Sequence, residues 1–329
     1  MIESDRKPAS PPTRLSVAPM MDWTDRHCRY FHRLLSRDTL LYTEMVTAKA
    51  VIHGDRERLL GFDECEQPVA LQLGGSSPPE LAEACRIAAD FGYGEINLNV
   101  GCPSDRVRSG SFGAVLMAQP DLVAECVAAM QGHGPEITVK CRIGIDAQAP
   151  AEVLPDFIEK VSAAGVRRFA IHARKAWLQG LSPKQNRDVP PLDYPLVYAM
   201  KSAFPALEIC LNGGVGSLDE ALAHLEHVDA VMIGRAAYHE PFSILPEADA
   251  RVFGGLPPRP EGEVIALMAD YIEAEMVKGT RLNQISRHML GAFAGRPGAR
   301  RWRRLLSEGA HLEGAGPSLI WQAYEAVKG

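Results

Sequence analysis

Eight short apolar runs punctuate the first three-quarters of the chain: Leu15–Met20, Leu40–Val46, Val69–Leu73, Gly94–Leu98, Glu136–Arg142, Arg167–His172, Leu207–Asn212 and Asp229–Ile233. Most are continuous, as expected of strands buried on both faces. Between them lie stretches with apolar residues at helical spacing, such as Pro79–Phe91, Asp121–Gln131, Leu154–Ala164 and Leu218–His227. Eight strand-then-helix units predict an α/β protein built as a (β/α)8 TIM barrel. A doubly wound sheet is the main competitor, and the lack of a GxGxxG after the first run counts against it.

After the eighth run the pattern changes. Gly254–Pro260 is a turn-rich linker, and beyond it Val264, Leu267, Met268, Tyr271 and Ile272 fall at helical spacing. Further helical segments are expected over Gln284–Phe293, Ala299–Leu306 and Pro317–Val327. The predicted organisation is a flexible N-terminus over 1–13, a catalytic barrel over 14–250 and a small all-helical domain over 260–329.

The 329 residues are 46% hydrophobic and 23% charged, an ordinary globular composition. No run approaches the roughly 20 apolar residues of a membrane span. The polar, Pro-rich stretch Met1–Thr13 holds no apolar signal region and reads as the lead-in to a cytoplasmic protein. Seven scattered cysteines without a CxxC pair suit reduced thiols rather than disulfides or zinc. A formal net charge of −6 argues against a nucleic-acid partner, but its distribution argues the other way. Between Glu275 and Glu308 there is no acidic residue, while Lys278, Arg281, Arg287, Arg296, Arg300, Arg301, Arg303 and Arg304 all fall there. Local charge governs binding to a polyanion more than net charge does.

The C-terminal ends of barrel strands form the active site whatever the reaction. Here they carry Pro19-Met20-Met21, Glu44, Gln72, Asn99, Lys140, His172, Asn212-Gly213-Gly214 and Gly234-Arg235. Glycines after the last two strands let backbone N–H groups approach an anion, the usual phosphate site of such barrels, although turn glycines look the same. Lys140 points by alternation into the barrel mouth, where it meets either an anionic ligand such as a reduced flavin or Glu44 in an ion pair. His172 can donate to a ring oxygen or a phosphate, or serve as a structural hydrogen-bonder. Gln72 offers the donor and acceptor that a flavin edge requires. Cys102 sits between Gly101 and Pro103 on a tight loop past a strand end, and such a thiol is a nucleophile, a proton donor or buried filler. No His or Cys lies nearby at ligand spacing, so no metal is expected.

In the segment PGARRWRRLL, Arg300, Arg303 and Arg304 share a helix face and Arg301 lies off it. Trp302 either packs inward or stacks on a base. The cluster suits RNA, or is a solvated basic face.

These segments resemble the tRNA-dihydrouridine synthase family. The likeness runs through APMMDWTD at 18–25, LYTEM at 41–45, QLGG at 72–75 and NLNVGCPSDRV at 97–107. It continues through TVKCRIGID at 138–146, the long segment 171–194, NGGV at 212–215, IGRAAY at 233–238, RHMLG at 287–291 and PGARRWRR at 297–304. The last two, with the long insert after His172, look like the subfamily that modifies tRNA positions 20 and 20a. The resemblance implies FMN held by Pro19, Met20, Met21, Gln72, Lys140, His172, Asn212, Gly213, Gly214, Gly234 and Arg235. It implies NADPH as reductant and a tRNA substrate touched by Asn99, Lys184, Arg187, Arg300 and Arg303. Cys102 would be the catalytic acid, protonating C5 of a flipped uracil as hydride from flavin N5 reaches C6. A monomer is expected, for want of an obvious apolar surface stripe. The rival readings are a small-molecule FMN barrel of the dihydroorotate dehydrogenase kind, which needs no basic helical domain, and a non-catalytic RNA-binding barrel.

Overall fold

The computed structural model describes residues 13–104 and 110–328. The expected N-terminal segment up to Pro12 and the Asp105-Arg106-Val107 part of the Cys102 motif lie outside the described residues.

Eight parallel strands close into a barrel, each hydrogen-bonded to its successor and the last to the first. They are β1 (Leu15–Val17), β2 (Leu40–Thr47), β3 (Val69–Gly74), β4 (Glu95–Val100), β5 (Glu136–Arg142), β6 (Arg168–His172), β7 (Glu208–Asn212) and β8 (Ala230–Ile233). The expected doubly wound competitor is therefore excluded. β1 stops at Val17, short of the expected Met20: Ala18 N–H still reaches Ile233 O at 2.8 Å, but Pro19 has no N–H to continue the ladder.

The strands do not carry continuous apolar faces. Outward positions such as Leu71, Ile96, Leu98, Val139, Phe169, Ile171, Leu211 and Val231 join one large core beneath the helices. Inward positions are small or polar: Ala18, Ala70, Ala170, Cys210 and Ala230 around Leu40, Tyr42 and Met232, with Glu95, Asn97, Thr138 and Arg168 buried beside them. A narrow barrel holds few large side chains, so its interior is filled by a hydrogen-bonded polar column.

The helices Glu261–Val277, Leu282–Ser286, Ala299–Gly309 and Ser318–Glu325 complete the chain. The expected helix Gln284–Phe293 is instead a short helix followed by one 3-10 turn, Arg287–Met289. Gly291 explains the break: a Cβ there would lie 2.1 Å from His239 O, so the backbone must pass flush against the barrel. The C-terminal helices share the outer barrel core. Phe293 stacks on Phe242 at 5.1 Å, and Tyr271 stacks on Tyr30 at 3.8 Å. Trp302 packs inward, fully buried, with Nε1 donating to Met289 O at 2.8 Å. No helix among the described residues is long and apolar enough to cross a membrane.

Candidate active site at the barrel mouth

β4 and β5 place Asn99 opposite Lys140, while β5, β6 and β7 align Arg142, His172 and Asn212 at the next level. Cys102 follows β4 on a loop anchored from three sides. Asn99 Oδ1 accepts the N–H groups of Gly101 and Cys102, each at 3.0 Å. Arg142 Nε donates to Gly101 O at 3.0 Å, and Ala114 N donates to Cys102 O at 2.9 Å. The thiol stays half-exposed, with Ser104 Oγ 3.4 Å away.

Asn99 heads a hydrogen-bonded column that runs down the barrel axis. Its Nδ2 donates to Gln72 Oε1 (2.8 Å), Gln72 Nε2 to Asn97 Oδ1 (2.9 Å) and Asn97 Nδ2 to Thr138 Oγ1 (2.8 Å). Thr138 donates in turn to Glu95 (2.6 Å), whose other oxygen takes Arg168 Nη1 at 2.7 Å. Arg168 can only donate and an ionised Glu95 can only accept, so the barrel floor sets the direction of every bond above it. The column fixes which amide atom of Gln72 and Asn99 faces the mouth.

The glycines after β7 are required by geometry. Gly213 has φ +106°, and a Cβ there would sit 2.2 Å from His172 Cδ2. At Gly214 (φ +78°) a Cβ would meet Tyr194 Oη at 2.5 Å. Asn212 holds the turn through Nδ2 to Met232 O at 2.8 Å. Across the mouth, Met20 closes a turn with Thr24 (Met20 N to Thr24 Oγ1, 3.0 Å), leaving Met21 49% exposed and Pro19 half-buried. Gly234, between this turn and the helix Arg235–His239, has Met20 Sδ 3.9 Å from where its Cβ would be.

The electrostatics point to an anionic ligand. Burial, then the cations Arg142, Lys140, Arg174 and Arg235, hold the His172 imidazole well below its usual range, so it is neutral. Burial and the neighbouring Arg142 also bring Lys140 down to about 8. Lys140 has no ion-pair partner among the described residues. Glu44, its expected alternative, instead accepts the Asp22 N–H. Arg174 Nε is buried with no hydrogen-bond partner. These groups fit a phosphorylated, anionic cofactor. Among the described residues no cluster of three or more His, Cys, Asp or Glu is placed to hold a metal.

Lys184 and Arg187 are exposed at the short helix Gln185–Asp188, and the Arg187 guanidinium feels both Arg235 and Cys102. Arg300, Arg301, Arg303 and Arg304 are all exposed on one helix, with no acidic partner among the described residues. Arg303 and Arg235 both act on His239, which puts Arg303 on the side nearest the barrel. Asn99 is buried with both amide atoms engaged inside the protein. The sequence reasoning passed over Arg142, Arg174, Asn97 and Asn186. Arg142 was within reach, since alternation puts it on the same face as Lys140.

A closed (β/α)8 barrel with a cationic mouth is a common enzyme scaffold. Two solved structures share the fold: a 2-naphthoyl-CoA reductase in complex with 2-naphthoyl-CoA (TM-score 0.54, 13% identity, 74% of this chain and 50% of that one) and TcOYE with pHBA (TM-score 0.52, 10% identity, 76% and 91%). The sequence profile described as dihydrouridine synthase (Dus) matches residues 16–327, and the chain belongs to that family. A tRNA-dihydrouridine(20/20a) synthase of Vibrio cholerae is 58% identical over 317 residues, covering 95% of this chain and 96% of that protein. Its counterpart from Escherichia coli is 56% identical over 320 residues, covering 96% of both. The family's members are flavin-dependent oxidoreductases that reduce uridine to dihydrouridine. Membership along almost the whole chain displaces the dihydroorotate dehydrogenase and non-catalytic readings.

Proposed function

We propose that this chain reduces uridines 20 and 20a of the tRNA D-loop to dihydrouridine, with FMN at the barrel mouth and NADPH as reductant. The chemistry supplied by bound FMN is hydride donation to C6 of the uracil. Asn212, Gly213, Gly214, Gly234 and Arg235 would hold its phosphate, with His172 available to donate from a neutral ring. Pro19, Met20, Met21, Gln72 and Lys140 would hold the ring system, Lys140 supplying a positive charge for the negative charge it carries when reduced.

Cys102 supplies the proton. Reduction adds a hydride and a proton across the 5,6-bond, so C5 needs an acid on the face opposite the hydride donor. A thiol qualifies only while protonated. It gives up that proton to C5 and regains one from water, to which half-exposed Cys102 is accessible. Asn99 holds the loop that carries Cys102 and keeps one Nδ2 hydrogen for the substrate. Residues 14–250 form the catalytic unit and 260–329 the tRNA-binding unit, with Lys184, Arg187, Arg300 and Arg303 on phosphates. The protein works as a monomer in the cytoplasm.

The observation that carries the reading is the Cys102 thiol, held half-exposed by Asn99 and Arg142 beside the cationic mouth. The test is Cys102→Ala. Dihydrouridine formation should fall at least 100-fold, the scale of general-acid catalysis, while NADPH still reduces bound flavin at close to the wild-type rate. Product formed at the wild-type rate would remove the acid role.

A further inference from the structure

Trp177 is 43% exposed on the loop that follows β6, beside the Cys102 loop. Exposed indoles on such loops are usually free to move, but here the backbone is clamped. Trp177 N donates to Asn186 Oδ1 at 2.7 Å, and Asn186 Nδ2 donates back to Trp177 O at 2.8 Å. Asn186 is completely buried. On either side, Ala176 N donates to Gly144 O at 3.0 Å and Leu178 N to Asp146 Oδ1 at 2.8 Å. Arg142 joins this loop to the catalytic one: Nε holds Gly101 O, while Nη1 holds Lys175 O at 3.1 Å and Asn186 O at 3.0 Å. Lys175 Nζ, itself tied to Gln148 O at 2.8 Å, lies 5.4 Å from the centre of the indole. No aromatic ring of the described residues stacks on it.

We infer that Trp177 is a stacking platform for an unpaired base of the RNA, next to the uridine drawn into the barrel mouth. This rests on the proposed function. A base removed from its stack needs a replacement surface, and its neighbours in the strand do too. A rigid aromatic face offers one with little ordering cost, and every base has a π-face to match it. The surroundings suit RNA over an apolar protein partner, because Lys175 lies beside the ring and the segment whose Asn186 clamps it also carries the exposed cations Lys184 and Arg187.

The experiment measures tRNA affinity and turnover for Trp177→Ala, Trp177→Leu and Trp177→Phe across a salt series. Loss of one base stack raises Kd and KM for tRNA about 10- to 100-fold, with a smaller fall in kcat at saturating tRNA. Phe should restore most of the affinity and Leu little, since both fill space but only Phe stacks. The slope of log Kd against log salt should stay as in the wild type, because no phosphate contact is lost. Affinity unchanged in Trp177→Ala, or equal rescue by Leu and Phe, overturns the inference. Wild-type protein that neither binds nor reduces tRNA would instead overturn the function on which it rests.

Discussion

At Lys140 burial and function pull in opposite directions. The ammonium is brought down to about 8, first by burial and then by Arg142. Below that pH it is charged, and above it neutral. In the free protein the unfolded chain keeps the proton up to the ordinary lysine value of 10.5, so folding stability rises with pH between about 8 and 10.5. Binding of an anionic cofactor has the opposite sign: the attraction is present below about 8 and fades as pH rises through it. Flavin affinity of the wild type should therefore weaken above pH 8. Lys140→Met should bind more weakly at pH 7, about 10-fold for one charge-assisted contact, and show no such alkaline limb. Flavin fluorescence titrations at several pH values decide it, and parallel profiles for the two proteins would refute it. Single residues of this kind were legible in the sequence because a charge closing an apolar strand is conspicuous. Asn186 was not legible, since a loop asparagine gives no sign that it is buried and clamps a neighbour nine positions away.

The elements were legible in number and order, and their interiors were not. Runs such as Glu95-Ile96-Asn97-Leu98-Asn99 look like apolar strands with polar interruptions until closure turns the interruptions inward as one column. The join between the barrel and the C-terminal helices was equally hidden. Asp25 caps the helix Arg26–Leu35 by accepting His27 N and Cys28 N, each at 3.0 Å. The same carboxylate accepts Arg287 Nη2 at 2.6 Å and His288 Nε2 at 3.0 Å. Burial opposes its charge, but His288, the Cys28 N–H and Arg287 outweigh that and hold Asp25 well below the usual carboxylate range. Such a group contributes stability above its unfolded value of 3.8, which is lost as pH falls below it. Asp25→Ala removes the cap, worth about 1 kcal/mol, and strands the buried His288 donor at about 1–3 kcal/mol. A total loss of about 2–4 kcal/mol should appear in chemical denaturation at pH 7. The variant's deficit should shrink steadily as pH is lowered from 7 through 3.8 and below, as the carboxylate's contribution is progressively lost. A constant difference across that range would mean the cap and not the charge is what matters.

For the whole molecule, net charge is a poor guide to what it binds. The basic window is partly cancelled by acids: Lys278 pairs with Glu275 three residues earlier, while Arg287 and Arg296 pair with Asp25 and Glu261 from farther along the chain. What remains without an acidic partner among the described residues is Arg281 and an arc of exposed guanidiniums at Arg300, Arg301, Arg303 and Arg304, on the helix whose opposite side buries Trp302 and Leu306. The sequence shows the density of positive charge, but only the fold separates cations spent on internal pairs from cations left for a partner. That separation makes a quantitative prediction. Each phosphate neutralised contributes roughly 0.7–0.9 to the slope of log affinity against log salt. Arg300→Ala with Arg303→Ala should therefore lower the slope for tRNA by about 1.4–1.8 and weaken binding at low salt more than at high salt. Arg287→Ala, whose charge is engaged by Asp25, should reduce stability and leave the slope nearly unchanged. Filter-binding or fluorescence titrations from low to moderate salt measure both. If the Arg287 variant changed the slope and the double variant did not, the phosphate-binding face would have to be placed elsewhere on the molecule.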